Sequence, residues 1–312
     1  MRACWNSWKR NIFQRAGEAV MSDIIAAPSV RVLAQKQGVD LEVLARTLGR
    51  QTLTREDVLQ TTKSVVAAAQ PSHWDVDHSQ FGPVTEEPMS RFKQITAENL
   101  AAANQMIPQV THHDRADVSA IEAFRSDLKP EAMARNIKLT ALAFHVKALS
   151  HALRDSPRFN ASLTPDGKIL VLKGYVHIGI AVDTEYGLMV PVIRNVDEKG
   201  LWQIASEIFD LAKRAQARKI KPEEMGGASM TITNLGGIGG LAFTPIVNPP
   251  EVAILGLTRT EMTPVWNGEA FAPVPMVPLD LSYDHRVING AEAARFVAHL
   301  AGLIADPRKL LV

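Results

Sequence analysis

VPLDLSYDHRVINGAEAARFVAHLAGLI, residues 277–304, reads as a strand, a corner and a helix in direct succession. Val277–Tyr283 is β-rich, and the run that starts at Ala291 is helix-like. Between them, Tyr283-Asp284-His285-Arg286-Val287-Ile288-Asn289-Gly290 turns the chain. A histidine at a strand-to-helix corner can be held rigidly by its flanking elements, as a catalytic base requires. Its ordinary pKa of about 6.5 suits it to take a proton from a thiol of pKa about 8.5. Asn289, four residues on, can hydrogen-bond locally and fix the turn. Taken alone, a histidine between aspartate and arginine is more often a surface or capping residue, because isolated short motifs recur by chance.

Working outward, further strands are expected at Ser229–Thr233 and Val252–Leu257, with shorter β-rich runs at Lys168–Lys173 and Val176–Val182. Pro165-Asp166-Gly167 and Tyr186-Gly187 supply turns. Residues 138–153 repeat Leu139, Leu142, Ala143, Val146, Leu149 and Leu153 at helical spacing, and Leu201, Ile204, Ala205, Ile208, Leu211 and Ala212 do the same. The uneven alternation of strands and helices predicts an α+β fold, a mixed sheet with helices against it. There is no internal repeat and no low-complexity tract.

A second constellation is Thr231-Ile232-Thr233-Asn234-Leu235-Gly236-Gly237-Ile238-Gly239-Gly240. A strand ends in a hydroxyl and an amide, then glycines let backbone or ligand approach closely. A hydroxyl there could donate to a developing oxyanion; the alternative is a glycine-rich turn with no ligand. The spacing fits neither a Walker A loop nor a dinucleotide fingerprint. His112-His113-Asp114-Arg115-Ala116-Asp117 offers metal-ligand side chains, but neighbours on a strand point to opposite faces, a poor cage, and no metal is expected. Asp197-Glu198-Lys199 resembles a lipoyl-attachment tip, yet it opens an amphipathic helix and reads as a solvated charge cluster.

Composition sets the outer limits. With 312 residues, 46% hydrophobic and 21% charged, the chain has material for one large domain and something smaller. A formal charge of +1 gives no global field to recruit nucleic acid or an anionic membrane. The single cysteine, Cys4, excludes an internal disulfide and suits a reducing, cytoplasmic compartment. No apolar run approaches the roughly 20 residues of a membrane span. Residues 1–25 form an N-terminal extension whose first twenty carry four basic side chains and no continuous apolar stretch. An upstream start before Met21 is favoured over an organelle-targeting peptide, which would make the protein mitochondrial. Residues 26–61 form a small helical module, with Ser29 as an N-cap, Gly38-Val39-Asp40-Leu41 as a connector and a second helix from Thr54. Residues 62–84, mixed in Ala, Ser and Pro, read as a linker, and 85–312 as the main domain.

NQMIPQVTHHDRADVS (104–119), SPRFNASL (156–163), YVHIGIAVDTEYGLMVPVIRNVDEK (175–199), TITNLGGIGGLAFTPIVNPPEVAILG (231–256) and LSYDHRVINGAEAARF (281–296) resemble, in family order, the catalytic domain of the dihydrolipoamide acyltransferases. These form the core of 2-oxoacid dehydrogenase complexes. The wording is most similar to the acetyl-transferring members of bacterial pyruvate dehydrogenase complexes, so acetyl is the favoured group. APSVRVLAQKQGVDL resembles that family's peripheral-subunit-binding domain. The resemblance implies a chloramphenicol-acetyltransferase-like fold and a homotrimer or larger cage. Coenzyme A and a lipoyl arm would then be the substrates, meeting at subunit interfaces. His285 matches the general base. Thr233 matches the hydroxyl that stabilises the tetrahedral oxyanion, supplied by a different subunit. Asn289 stands where most members have aspartate, and its role would be to hold the histidine turn. The apolar Leu310-Leu311-Val312 matches a segment used between trimers.

Three departures accompany the match. No lipoyl domain is expected, so the arm would come in trans, from a separate lipoyl-bearing protein; tethering normally raises its effective concentration to about the mM range. In the small module Arg31 matches a basic position, but Gln35 replaces another, and Arg46, Leu48 and Thr52 stand in a loop usually rich in glycine with an arginine. Binding of a dehydrogenase or decarboxylase partner is therefore a weaker expectation than the fold. The competing reading is a catalytically weak structural subunit that co-assembles with a full-length core. A third is transfer to some other small acceptor.

Overall fold

A computed structural model describes residues 24–37, 39–48, 50–59 and 76–311. The expectations for the N-terminal extension, and for most of the 62–84 linker, lie outside the described residues. The chain divides into two units between Glu87 and Pro88.

In the first unit, β1 (Ile25–Ala26) pairs in parallel with β2 (Thr52–Leu53), and helices α1 (Pro28–Lys36) and α2 (Leu41–Leu48) pack between them in sequence. Val30, Ala34, Leu44, Ala45, Leu53 and Val58 form its core. Three expectations are corrected here. The module is not all-helical. The N-cap of α1 is Ala27, with Pro28 at the first helical position and no side-chain bond from Ser29. Proline's fixed φ and missing donor suit that position, which leaves Ser29 inside the first turn. The second helix starts at Leu41, straight after Val39-Asp40, and not at Thr54; Asp40 Oδ1 accepts from the Glu42 amide at 2.8 Å and holds its first turn.

The second unit is built on a seven-stranded mixed sheet. Its elements in order are α3 (Arg91–Met106), β3 (Gln109–Asp117), α4 (Ser119–Asp127), α5 (Lys129–Ala134), α6 (Ala141–Asp155), β4 (Ala161–Leu163) and β5 (Leu170–Leu172). After these come β6 (Ile178–Ile180), β7 (Val182–Thr184), β8 (Gly187–Met189), β9 (Val192–Ile193), α7 (Leu201–Gln216), β10 (Met230–Asn234), β11 (Ala253–Leu257), β12 (Glu261–Trp266), β13 (Phe271–Asp284) and α8 (Gly290–Ile304). The strand order is β12-β13-β11-β10-β6-β9, with β3 on the other edge of β13. β6, β10 and β11 run parallel, and β13 is antiparallel to β11, β12 and β3. The expected turns close two small hairpins, β4–β5 around Gly167 (φ 69°) and β7–β8 at Gly187. The α+β expectation is met.

Period-two alternation gives this sheet two different faces. Met230, Ile232, Leu255, Leu257, Leu279, Leu281 and Tyr283 pack with α6, α7 and α8 into one core. Phe159 stacks on Phe296 of α8 at 4.0 Å between ring centroids, a contact worth about 0.5–1.5 kcal/mol beyond its buried area. The opposite face carries Thr231, Thr233, Gly256, Asp280, Ser282, Thr111 and His113. Leu310 is buried in the chain's own core, which leaves Leu311 exposed at the C-terminal end of the described residues.

His145 of α6 lies in the core, and neither ring nitrogen is hydrogen-bonded among the described residues. Burial pushes its pKa down to about 4 from an ordinary 6.5, against a weaker pull upward from Glu122. The unfolded chain therefore binds a proton that the folded chain refuses between pH 6.5 and 4. The stability this histidine contributes is full above that window and is lost as pH falls through it. Glu251, whose buried carboxyl keeps its proton up to about pH 7, acts in the opposite sense over much of the same window, so the effect is read by comparison. Denaturant titrations should show stability falling less with acid in His145→Leu than in the unsubstituted protein; identical slopes would remove His145 as a contributor.

Candidate active site

The corner 284–290 is fixed at almost every backbone position. The Asp284 amide donates to Val252 O (2.8 Å), the His285 amide to Pro108 O (3.1 Å), and the Val287 and Ile288 amides both to Asp284 O (3.0 Å each). Arg158 donates to Val287 O at 2.6 Å. Asp284, 2% exposed, holds Arg286 through both carboxylate oxygens. Asn289 is the N-cap of α8: its Oδ1 accepts from the Glu292 amide while Glu292 accepts from the Asn289 amide, both at 3.0 Å. An amide does here what the capping box needs, with no negative charge required. Out of this frame projects the exposed His285 ring, 5.7 Å from the Tyr283 ring and in no hydrogen bond with the described residues.

Thr233 lies near the end of β10, half-buried, with a hydroxyl that makes no hydrogen bond among the described residues. The glycine-rich loop after it folds back over the sheet. Leu235 continues the ladder to Leu257 O (2.8 Å), and the positive φ of Gly239 and Gly240 carries the chain away. A Cβ on Gly256 would lie 2.7 Å from the Phe243 ring, so glycine there lets the loop seat directly on the strand.

The structure unites His285 and Asn289 and keeps Thr233 apart from both. Thr233 is in register with Gly256, and Gly256 with Asp280. His285 lies five residues further along that strand and two strands over. Strand dimensions put the two about 16 Å apart lengthwise and about 10 Å crosswise. A cavity of about 390 Å³ opens beside the corner between α3 and the 248–252 turn, with Asp284 and Arg286 in its wall, but neither His285 nor Thr233 lines it.

His113 Nδ1 is 2.6 Å from Asp280 Oδ1, and the other Asp280 oxygen accepts from the Phe243 amide. That histidine therefore serves a carboxylate that is 1% exposed. Lys199, in the charged cluster, pairs with Glu207 at 2.6 Å after a short 3-10 turn; it is only 16% exposed, not fully solvated. Among the described residues no helix is long and apolar enough to cross a membrane. Glu251, in the same region, gives little sign in the sequence beyond a carboxylate immediately after two prolines.

Solved structures similar to this chain include acetyltransferase cores. One is the dihydrolipoamide acetyltransferase of Azotobacter vinelandii, 51% identical, with 76% of this chain and 98% of that chain covered at a TM-score of 0.75. Another is the cubic core of the pyruvate dehydrogenase multienzyme complex, 52% identical over the same shares, also at 0.75. In sequence, the dihydrolipoyllysine-residue acetyltransferase component of the Pseudomonas aeruginosa pyruvate dehydrogenase complex is 48% identical over 299 residues, with 92% of this chain and 55% of the relative covered. The chain belongs to the 2-oxoacid dehydrogenase acyltransferases, whose catalytic-domain profile matches residues 81–312. It spans about half the length of the curated relatives it matches.

Proposed function

We propose that the second unit transfers an acetyl group between dihydrolipoamide and coenzyme A, with His285 as base, Thr233 as oxyanion donor and Asn289 holding the histidine corner. The observation that carries this reading is the unengaged imidazole on a rigid corner, in a chain whose relatives are named for that activity. In the Azotobacter enzyme a serine, a histidine and an asparagine were investigated for their role in catalysis, at separations of 52 and 4 residues; Thr233, His285 and Asn289 are separated by the same intervals.

The imidazole takes the proton of the coenzyme A thiol, and the thiolate attacks the thioester carbonyl carbon of S-acetyldihydrolipoamide. Negative charge moves to the carbonyl oxygen, where the Thr233 hydroxyl donates to it. Collapse breaks the bond to the dihydrolipoyl sulfur, which recovers the proton from the imidazolium. Both thiols are substrates, and much of the rate comes from bringing them end to end.

Register separates Thr233 and His285 by far more than one acetyl group can bridge, so we assign them to a site completed by two subunits. A homotrimer closes such a head-to-tail arrangement, alone or inside a cage. The lipoyl arm is brought to the site by another chain, and the compartment is the bacterial cytoplasm. The small module keeps its core, but Gln35, Leu48 and Thr52 are exposed and uncharged. Arg31 donates to Ile24 O and Ala26 O, which spends its guanidinium locally. Grip on an acidic partner enzyme is accordingly weak; the Arg46 side chain lies outside the described residues.

Incubation with acetyl-CoA and free dihydrolipoamide should yield S-acetyldihydrolipoamide, with succinyl-CoA and isobutyryl-CoA much slower. A correctly assembled protein with no transfer to any dithiol would refute the reading and favour a structural subunit.

A further inference from the structure

Glu251 sits where two parts of the site are tied together. It closes the 248–251 turn, its amide donating to Asn248 O at 3.0 Å, and its side chain is buried, only 5% exposed. One oxygen, Oε1, accepts from the Thr231 hydroxyl (2.9 Å) and from Asn248 Nδ2 (3.1 Å); the other, Oε2, has no partner among the described residues. Room for this contact is made across the sheet. Thr231 pairs with Gly179 of β6, where a Cβ would lie 2.6 Å from the threonine oxygen. The charged neighbour is Lys173, whose ammonium donates to Ala228 O at the approach to β10 (2.8 Å). Burial raises the Glu251 pKa to about 7, more than Thr231, Asn248 and Lys173 lower it. A buried carboxyl with an unpaired oxygen is costly, and its hydrogen bonds and the Lys173 charge offset that cost only in part.

Thr231 precedes Thr233 by two residues on the same face of β10. The residue after Glu251, Val252, accepts the Asp284 amide, one position before His285. The Glu251 side chain therefore holds the strand of the oxyanion donor, while its backbone neighbour holds the corner of the base. We propose that Glu251 is a positioning residue for acyl transfer, setting Thr233 through Thr231 and linking the two half-sites that one chain gives to two neighbouring active sites. This rests on the assignment of Thr233 and His285 above.

The test is a double-mutant cycle on the assembled enzyme, with kcat and both KM values measured for Glu251→Leu, Glu251→Gln, Thr231→Val and the pair Glu251→Leu/Thr231→Val. Misplacing a catalytic donor by a fraction of an ångström should lower kcat about tenfold or more while both KM values stay within about twofold. Glutamine keeps an oxygen that can accept both hydrogen bonds, so Glu251→Gln should recover most of the loss. Because Glu251 acts through Thr231, the double variant should be no slower than the slower single one. Thr231→Val keeps the shape of its side chain and provides the comparison if Glu251→Leu does not fold. Unchanged kcat in folded Glu251→Leu or Thr231→Val, equal losses in the leucine and glutamine variants, or multiplying losses in the pair would each overturn the proposal. Full activity in His285→Ala and Thr233→Val would instead overturn the assignment it rests on.

Discussion

Replacing His285 by alanine should lower kcat by roughly 10²–10⁴, the usual contribution of a positioned general base. The protein should otherwise be intact. The ring makes no hydrogen bond among the described residues, and the amide that holds the corner to Pro108 survives the substitution. The Asn289–Glu292 capping box and the Asp284–Arg286 pair also remain. Folding, assembly and KM should therefore change little, since the base acts on a thiol proton and supplies no binding surface. Steady-state kinetics beside a denaturation curve would check this. Activity within twofold of the unsubstituted enzyme would remove His285 from the mechanism.

Thr233→Val should cost less, on the order of 10²–10³ in kcat, as loss of one oxyanion donor does. Valine keeps the branched shape that the strand favours, and the backbone ladder from β10 to β11 is unaffected. What disappears is a hydroxyl with no other partner among the described residues, so no buried group is orphaned and stability should hold. The donor is needed when charge reaches the carbonyl oxygen, so the loss should fall on kcat. Thr233→Ser should restore most of it. A valine variant as fast as the starting protein, or one whose whole defect is in KM, would contradict the role.

Both residues were legible in the sequence for different reasons. The corner stood out because a β-rich run, a turn and an apolar-periodic helix meet there. Thr233 emerged only through the resemblance of its surroundings, since a threonine before glycines is ambiguous in itself. Strands β10 and β11 and helices α6, α7 and α8 were readable because each buries an apolar stripe. Helix α3 was not, because only Ala103 on it is buried and no stripe exists. Strand β13 is longer than the expected Val277–Tyr283, because Pro273, Pro275 and Pro278 argue against a strand in the sequence. Proline is tolerated at an edge. Pro273 and Pro275 lie in the part flanked only by β12, and Pro278 falls where that edge passes from β12 to β11. The polar face of the sheet hid its network for a similar reason. Thr231, Asp280 and His113 are ordinary in sequence and acquire partners only when distant strands come into register.

The central claim is a site shared between subunits, and complementation tests it most directly. His285→Ala and Thr233→Val chains, each inactive alone, should be dissociated, mixed equally and reassembled. Where the histidine comes from one chain and the threonine from the next, random trimers regain an unmodified pair at about a quarter of their sites. The mixture should accordingly recover about a quarter of full activity. If both residues acted within one chain, no mixture could contain an intact site. Trimers verified as mixed yet no more active than their parents would contradict the account.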